Sequence, residues 1–169
     1  MAVMSQSGKL YSMNIIDNYS SHVWSIPLHS KSNAFSAFQI WHKAVAVQSG
    51  NTLHVIIFDN GKLILKAMEA WCQSLGIDHQ RTTLYMFAQN GHVEQLHRML
   101  HGKACTMHLT CNAPSNLWDE FFLTAAYLMN LMAANANHGQ TPYELWFSKL
   151  PSLSHLHEIG CRAFALHMP

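Results

Sequence analysis

Nine side chains in this 169-residue sequence are carboxylates: Asp17, Asp59, Glu69, Asp78, Glu94, Asp119, Glu120, Glu144 and Glu158. Carboxylates converging from different elements can hold divalent ions. Two-ion phosphoryl transfer needs about three of them to fix and neutralise the metal pair. Asp59 and Glu94 are the pair best placed for this. Asp59 ends a β-branched run in LHVIIFDNG, residues 53–61, where the run meets Asp-Asn-Gly. A carboxylate at the C-terminal edge of a buried strand is held by a rigid element and still faces solvent. Glu94 lies 35 positions further on, early in a helical stretch after Gln89-Asn90-Gly91. Taken alone, Asp59 reads as a turn residue before it reads as a metal ligand.

Histidine and cysteine supply the other candidate ligands. His92, Glu94 and His97 fall on one helical surface, with His101 four positions beyond His97. A histidine pair at that spacing can bind a divalent ion, although solvated histidines are the simpler reading. Cys72, Cys105, Cys111 and Cys161 include no CxxC pair, so zinc spacing is absent. Together with the lack of a signal peptide, they imply free thiols in a reducing, intracellular compartment.

Composition bounds the class. The chain is 49% apolar and only 11% charged, which indicates a folded domain with few charges on its surface. Its length suits one domain spanning 1–169, with no second one. The net charge of +1 projects no strong field toward nucleic acid or a membrane. No run of 18 apolar residues occurs, so no membrane partner is expected.

The elements that must position the carboxylates follow from periodicity. Residues 10–16 and 22–28 read as a hairpin around Asp17-Asn18-Tyr19-Ser20-Ser21. Asn33 opens a helix carrying Phe35, Phe38, Trp41 and Val45 inward, and Gly50 stops it. The strand 53–58 comes next. As the helix reads as a crossover, that strand is expected to lie parallel to the second. Then come a helix over 63–75, a short strand over 77–81, an aperiodic loop over 82–90 made apolar by Leu84, Met86 and Phe87, and a helix over 91–109. A fourth helix covers 117–132. Thr141-Pro142-Tyr143-Glu144 carries a capping box with proline at the first helical position. Residues 158–167 read as a last strand. The sum is an α/β architecture, a mixed sheet flanked by helices with a helical C-terminal part.

These motifs, in this order, resemble the integrase catalytic core of copia-type LTR retrotransposons, a ribonuclease-H-like fold of the DDE type. Tyr11 to Ser20 (YSMNIIDNYS) is similar to that family's second strand and turn. Asp59-Asn60-Gly61 resembles the segment with its second catalytic carboxylate, and Gln89-Asn90-Gly91-His92-Val93-Glu94 resembles the segment with its third. Leu117-Trp118, Ala125-Ala126-Tyr127-Leu128, Asn130, Thr141 to Trp146 and His155 to Cys161 resemble its C-terminal part. The resemblance implies Asp59 and Glu94 as catalytic and metal-binding residues, Mg²⁺ (or Mn²⁺) as cofactor, DNA ends and RNA as nucleic-acid partners, a homodimer, and a nuclear location.

The chain also departs from that pattern. The family's first catalytic Asp lies upstream of the segment matched by Tyr11, yet no acidic residue here precedes Asp17, which matches the turn. Lys62 stands for a glycine, Thr83-Leu84-Tyr85 for Ala-Pro-Tyr, and Gln95 and Ser21 for arginines. The spacing from Asp59 to Glu94 is one residue short, and the family's upstream His/Cys zinc module is absent. The expectation is a truncated, degenerate core that lacks the first strand and its Asp, binds Mg²⁺ weakly or not at all, and is inactive in DNA integration. The alternative is a non-catalytic interaction or dimerisation module, using Leu117, Trp118, Phe121, Phe122 and Leu128 as a face. The competing reading has those residues fill the chain's own core.

Overall fold

A computed structural model describes residues 3–58, 65–81, 87–133 and 137–162. The chain opens with an antiparallel hairpin of β1 (Tyr11–Ile16) and β2 (Val23–Leu28), in register from Tyr11 opposite Leu28 to Ile16 opposite Val23. The Asp17–Ser21 turn joins them, and the Asp17 carboxylate caps it. Asp17 Oδ2 accepts from the Ser20 backbone N–H and from Ser20 Oγ, both at 2.7 Å. A single turn of 3₁₀ helix, Lys31–Asn33, leads into α1 (Ala34–Ser49). Gly50, at φ +67°, ends α1 in the left-handed conformation that glycine adopts at least cost.

After α1 come β3 (Val55–Phe58), α2 (Leu65–Leu75) and β4 (Asp78–Arg81). β3 pairs with β4 in parallel, from Val55 opposite Asp78 to Phe58 opposite Arg81. α2 is thus the crossover between two directly paired parallel strands. β3 is parallel to the strand after it, and among the described residues β2 pairs with β1, so the parallel arrangement expected of the second and third strands is not one of direct pairing. Among the described residues the sheet is two separate two-stranded pieces.

The helical part contains α3 (Phe87–Thr110), α4 (Trp118–Leu131) and α5 (Pro142–Phe147). α3 begins at Phe87, so Gln89-Asn90-Gly91 lies inside the helix and not in a loop before it. The low helix propensity of Asn and Gly, about 1 kcal/mol at most per residue, is too small to end a helix whose later turns are buried. α5 starts as the sequence implies. Thr141 Oγ1 accepts from the Glu144 N–H at 3.0 Å, and Glu144 Oε2 accepts from the Thr141 N–H at 2.7 Å. Residues 158–162 turn and form no strand, while the rest of the expected last strand lies outside the described residues, as does the 82–86 loop segment.

Two apolar clusters hold these layers. One joins Val23 of β2 to Leu96, Leu100 and Ala104 of α3 and Ala125 and Ala126 of α4. The other joins Phe38 of α1 to Met68 and Cys72 of α2 and Ile77, with Met13, Ile15 and Ile56 from the strands packed against it. Helices thus cover the strands with two separate cores. Phe121 and Phe122 pack on the first cluster. The Trp118 indole donates to the Val3 carbonyl at 2.9 Å and meets Phe122 edge to face. Trp118, Phe121 and Phe122, considered for a dimer face, are each partly buried by these contacts.

Candidate functional site

Asp59 directly follows Phe58, the last residue of β3, and lies outside the described residues. Glu94 is exposed on α3, two turns from the helix N-terminus. How the pair meet is therefore outside what the described residues contain. What β1 presents to this end of α3 is visible. Asn14 Nδ2 donates to His97 Nδ1 at 3.1 Å, and His97 is one turn beyond Glu94. Asn14 Oδ1 in turn accepts from Ser12 Oγ at 3.0 Å, and Ser12 Oγ meets Ser25 Oγ at 2.9 Å. A line of hydroxyl, amide and imidazole groups thus runs from the hairpin to α3, one turn beyond Glu94.

Alternation in β1 explains this placement. Met13 and Ile15 face the α1–α2 cluster. Ser12, Asn14 and Ile16 face the opposite way, and Ile16 packs on the α3–α4 cluster. The one carboxylate of the hairpin, Asp17, lies beyond the strand and is held by Ser20.

The other candidate ligands do not gather. Among the described residues no group of three or more His, Cys, Asp or Glu side chains could hold a metal ion. His97 is engaged by Asn14, and His101 instead approaches Cys105, with Nδ1 at 3.6 Å from the sulfur. The side chain of His92 is outside the described set. All four cysteines are free thiols, and burial raises the pKa of Cys72, which keeps it from being a nucleophile.

Three buried polar groups carry signals that composition and periodicity do not reveal. His22 is buried against Trp24, Trp146 and Phe147. Desolvation lowers its pKa to about 4, against the opposing pull of Asp17. Asp119 is buried at the start of α4. Burial pushes its carboxyl up, but hydrogen bonds from the Ser7 and Ser5 hydroxyls and the Glu120 N–H outweigh this and hold it below its ordinary value. Asn130 binds the Val23 backbone on both sides: Val23 N–H donates to Oδ1, and Nδ2 donates to the Val23 carbonyl, each at 2.8 Å. An asparagine interrupting the most apolar helix was the sequence signal for that contact.

Two two-stranded sheets flanked by helices, with Asp59 next in sequence after β3 and Glu94 on α3, suit a ribonuclease-H-like core of the integrase type. The chain is similar in structure to the integrase catalytic core domain of HTLV-2 solved in complex with magnesium in its trimeric form. That likeness has a TM-score of 0.59 and 20% identity, covering 80% of this chain and 92% of the other. The dimeric form of the same core gives 0.57. An intasome of simian T-cell lymphotropic virus in complex with the PP2A regulatory subunit B56 gamma gives 0.66 at 19% identity, covering 92% of this chain and 56% of that one. At these identities the likeness establishes the fold.

Sequence establishes the family. The integrase core domain family matches residues 1–85, and the chain belongs to it. It is 33% identical over 170 residues to the retrovirus-related Pol polyprotein from transposon TNT 1-94 of Nicotiana tabacum. The match takes in all of this chain and 13% of that polyprotein's length. No helix among the described residues is long and apolar enough to cross a membrane.

Proposed function

We propose that this chain is an integrase-core unit that keeps the fold of DNA integration without strand-transfer activity of its own. One observation carries the reading: the β1 side chain facing α3 beside Glu94 is Asn14, an amide bound to His97. The hairpin's carboxylate, Asp17, is committed to its turn. A two-ion site needs about three converging carboxylates, and an amide neither neutralises nor bridges two cations. The residues on this side do not fit a pair of Mg²⁺ ions. Asp59 and Glu94 are the remaining carboxylates for a single, weakly held Mg²⁺. With a net charge of +1, the grip on DNA or RNA is weak and easily screened by salt. A DNA-directed role places the protein in the nucleus; a tagged chain confined to the cytoplasm would contradict that.

The test is 3′-end processing and strand transfer on DNA ends with Mg²⁺ or Mn²⁺. The expected outcome is no product above that of Asp59→Ala or Glu94→Ala. Turnover that Asp59→Ala abolishes overturns the reading.

A second reading, a non-catalytic dimerisation module, draws on the partly exposed Leu117, Trp118, Phe121, Phe122 and Leu128 together with the exposed Leu123 and Tyr127 of α4. A monomer by light scattering at high concentration rejects it.

A further inference from the structure

One pair of metal-ligating side chains stands apart from Asp59 and Glu94. His101 and Cys105 lie four positions apart on α3, so they share one face of the helix. The Cys105 sulfur is 3.6 Å from His101 Nδ1 and 3.8 Å from Nε2. In a tetrahedral zinc centre, with Zn–S about 2.3 Å and Zn–N about 2.0–2.1 Å, a sulfur and a nitrogen ligand sit about 3.6 Å apart. The pair already has the spacing of two zinc ligands. The exposed His101 ring meets Phe122 edge to face, with centroids 5.9 Å apart, which supports it on the α4 side. Cys105 is half-buried, so both ligands are reachable from solvent. A thiolate with an imidazole selects a borderline-soft ion such as Zn²⁺ over Mg²⁺, unlike a set of carboxylates.

Two ligands leave zinc half-bound, because a closed site takes four. Among the described residues no third His, Cys, Asp or Glu joins the pair. The surface beside it indicates where the other two come from. Gly102 follows His101 in the interior of the 24-residue α3, where glycine costs about 1 kcal/mol relative to alanine. Its φ is not positive, and nothing lies within 4 Å of where a Cβ would stand. Nothing inside the chain calls for a glycine there, whereas close approach of a second helix does. Leu109, one turn beyond Cys105, is 77% exposed and continues the same stripe as an apolar contact. We propose that His101 and Cys105 are half of a zinc site, completed by the same two residues of a second copy of this chain across a two-fold axis beside Gly102.

A two-fold contact sets the same patch against itself, so it delivers two sulfurs and two nitrogens. Each Cys105 thiol gives its proton to water as it binds, and each imidazole binds neutral. Two thiolates then neutralise Zn²⁺, so the centre carries no net charge and Arg98, one turn before His101, is no obstacle.

The experiment uses the full chain, kept reduced, stripped with a chelator and titrated with zinc chloride. Bound zinc is read by competition with a chromophoric chelator, and mass by light scattering. The expected result is one zinc per two chains, with a doubling of mass that chelator reverses. Cobalt(II) in place of zinc is expected to show the visible bands of a tetrahedral thiolate centre. Cys105→Ser and His101→Ala are each expected to weaken zinc binding more than about tenfold and to abolish the doubling. Gly102→Leu keeps both ligands and favours helix, and is expected to abolish the doubling while weak zinc binding persists. Cys161→Ser, at an exposed thiol outside the pair, is expected to change neither. If a ligand variant does not fold, the cobalt spectrum of the unaltered chain decides the coordination. The proposal is overturned if the reduced chain binds no zinc, if it binds one zinc per chain without a change of mass, if both ligand variants leave binding intact, or if the mass is already doubled in chelator and zinc does not alter it.

Discussion

Replacing Asn130 by leucine tests how the hairpin is fastened to the helical layer. Asn130 and Val23 are 6% and 3% exposed, and two 2.8 Å hydrogen bonds join them. Leucine keeps nearly the same volume in the apolar environment of α4, so the loss is polar. The Val23 N–H and carbonyl are left buried without partners, and no water replaces the amide. An orphaned buried group costs about 1–3 kcal/mol. With two groups at one residue relaxing together, the expected destabilisation is about 2–4 kcal/mol, a large share of the roughly 5–15 kcal/mol that stabilises a typical domain. Asn130→Asp separates the two bonds. It keeps an acceptor for the Val23 N–H but turns an oxygen toward the Val23 carbonyl, so it is expected to be at least as damaging at pH 7 and to recover in acid, where the protonated carboxyl can donate. Urea unfolding followed by tryptophan fluorescence measures the loss, and amide exchange at Val23 localises it. A loss under about 1 kcal/mol, with Val23 still protected, would refute the view that this asparagine closes the β2 edge.

Two further perturbations probe the clusters on either side of the hairpin. His22 has a folded pKa of about 4 against 6.5, because burial disfavours its charged form. The unfolded chain therefore takes up a proton first, and the stability owed to neutral His22 is complete above pH 6.5 and lost as pH falls toward 4. A shift of that size corresponds to roughly 2–3 kcal/mol. His22→Phe should flatten the pH dependence of the urea midpoint over that window; an unchanged slope would count against it. Leu100 is fully buried among Val23, Leu96 and Ala104, so Leu100→Ala should cost about 2–5 kcal/mol by thermal or urea unfolding. A cost below about 1 kcal/mol would mean that α3 does not seal this core.

Much of the fold was legible because its signals are local. The capping box at Thr141 and Glu144 needs only residues three apart, and it forms as read. The hairpin around Asp17–Ser21 and the stop at Gly50 follow from turn chemistry. The inward stripe of α1 follows from helical spacing, with Phe38 buried at its centre. Which face of α3 is buried was less legible: Val93 is 40% exposed, while the buried seam runs through Leu96, Leu100 and Ala104. The partner of β3 was not legible, since parallel pairing depends on which crossover packs on which face, a property of the assembled layers.

The sequence by itself determined the inventory of chemistry: nine carboxylates, none before Asp17, with Asp59 and Glu94 at the ends of recognisable segments. It determined the family too, because the order and spacing of motifs survive in one dimension. Only the tertiary structure decided which side chain of β1 meets α3 one turn beyond Glu94, and it is the amide of Asn14, bonded to His97. Only the tertiary structure decided that Asn130, 107 positions from Val23, takes both backbone groups of Val23 at one sheet edge. Strand alternation assigns a residue to a face, but the neighbour on that face is set by packing between segments far apart in sequence.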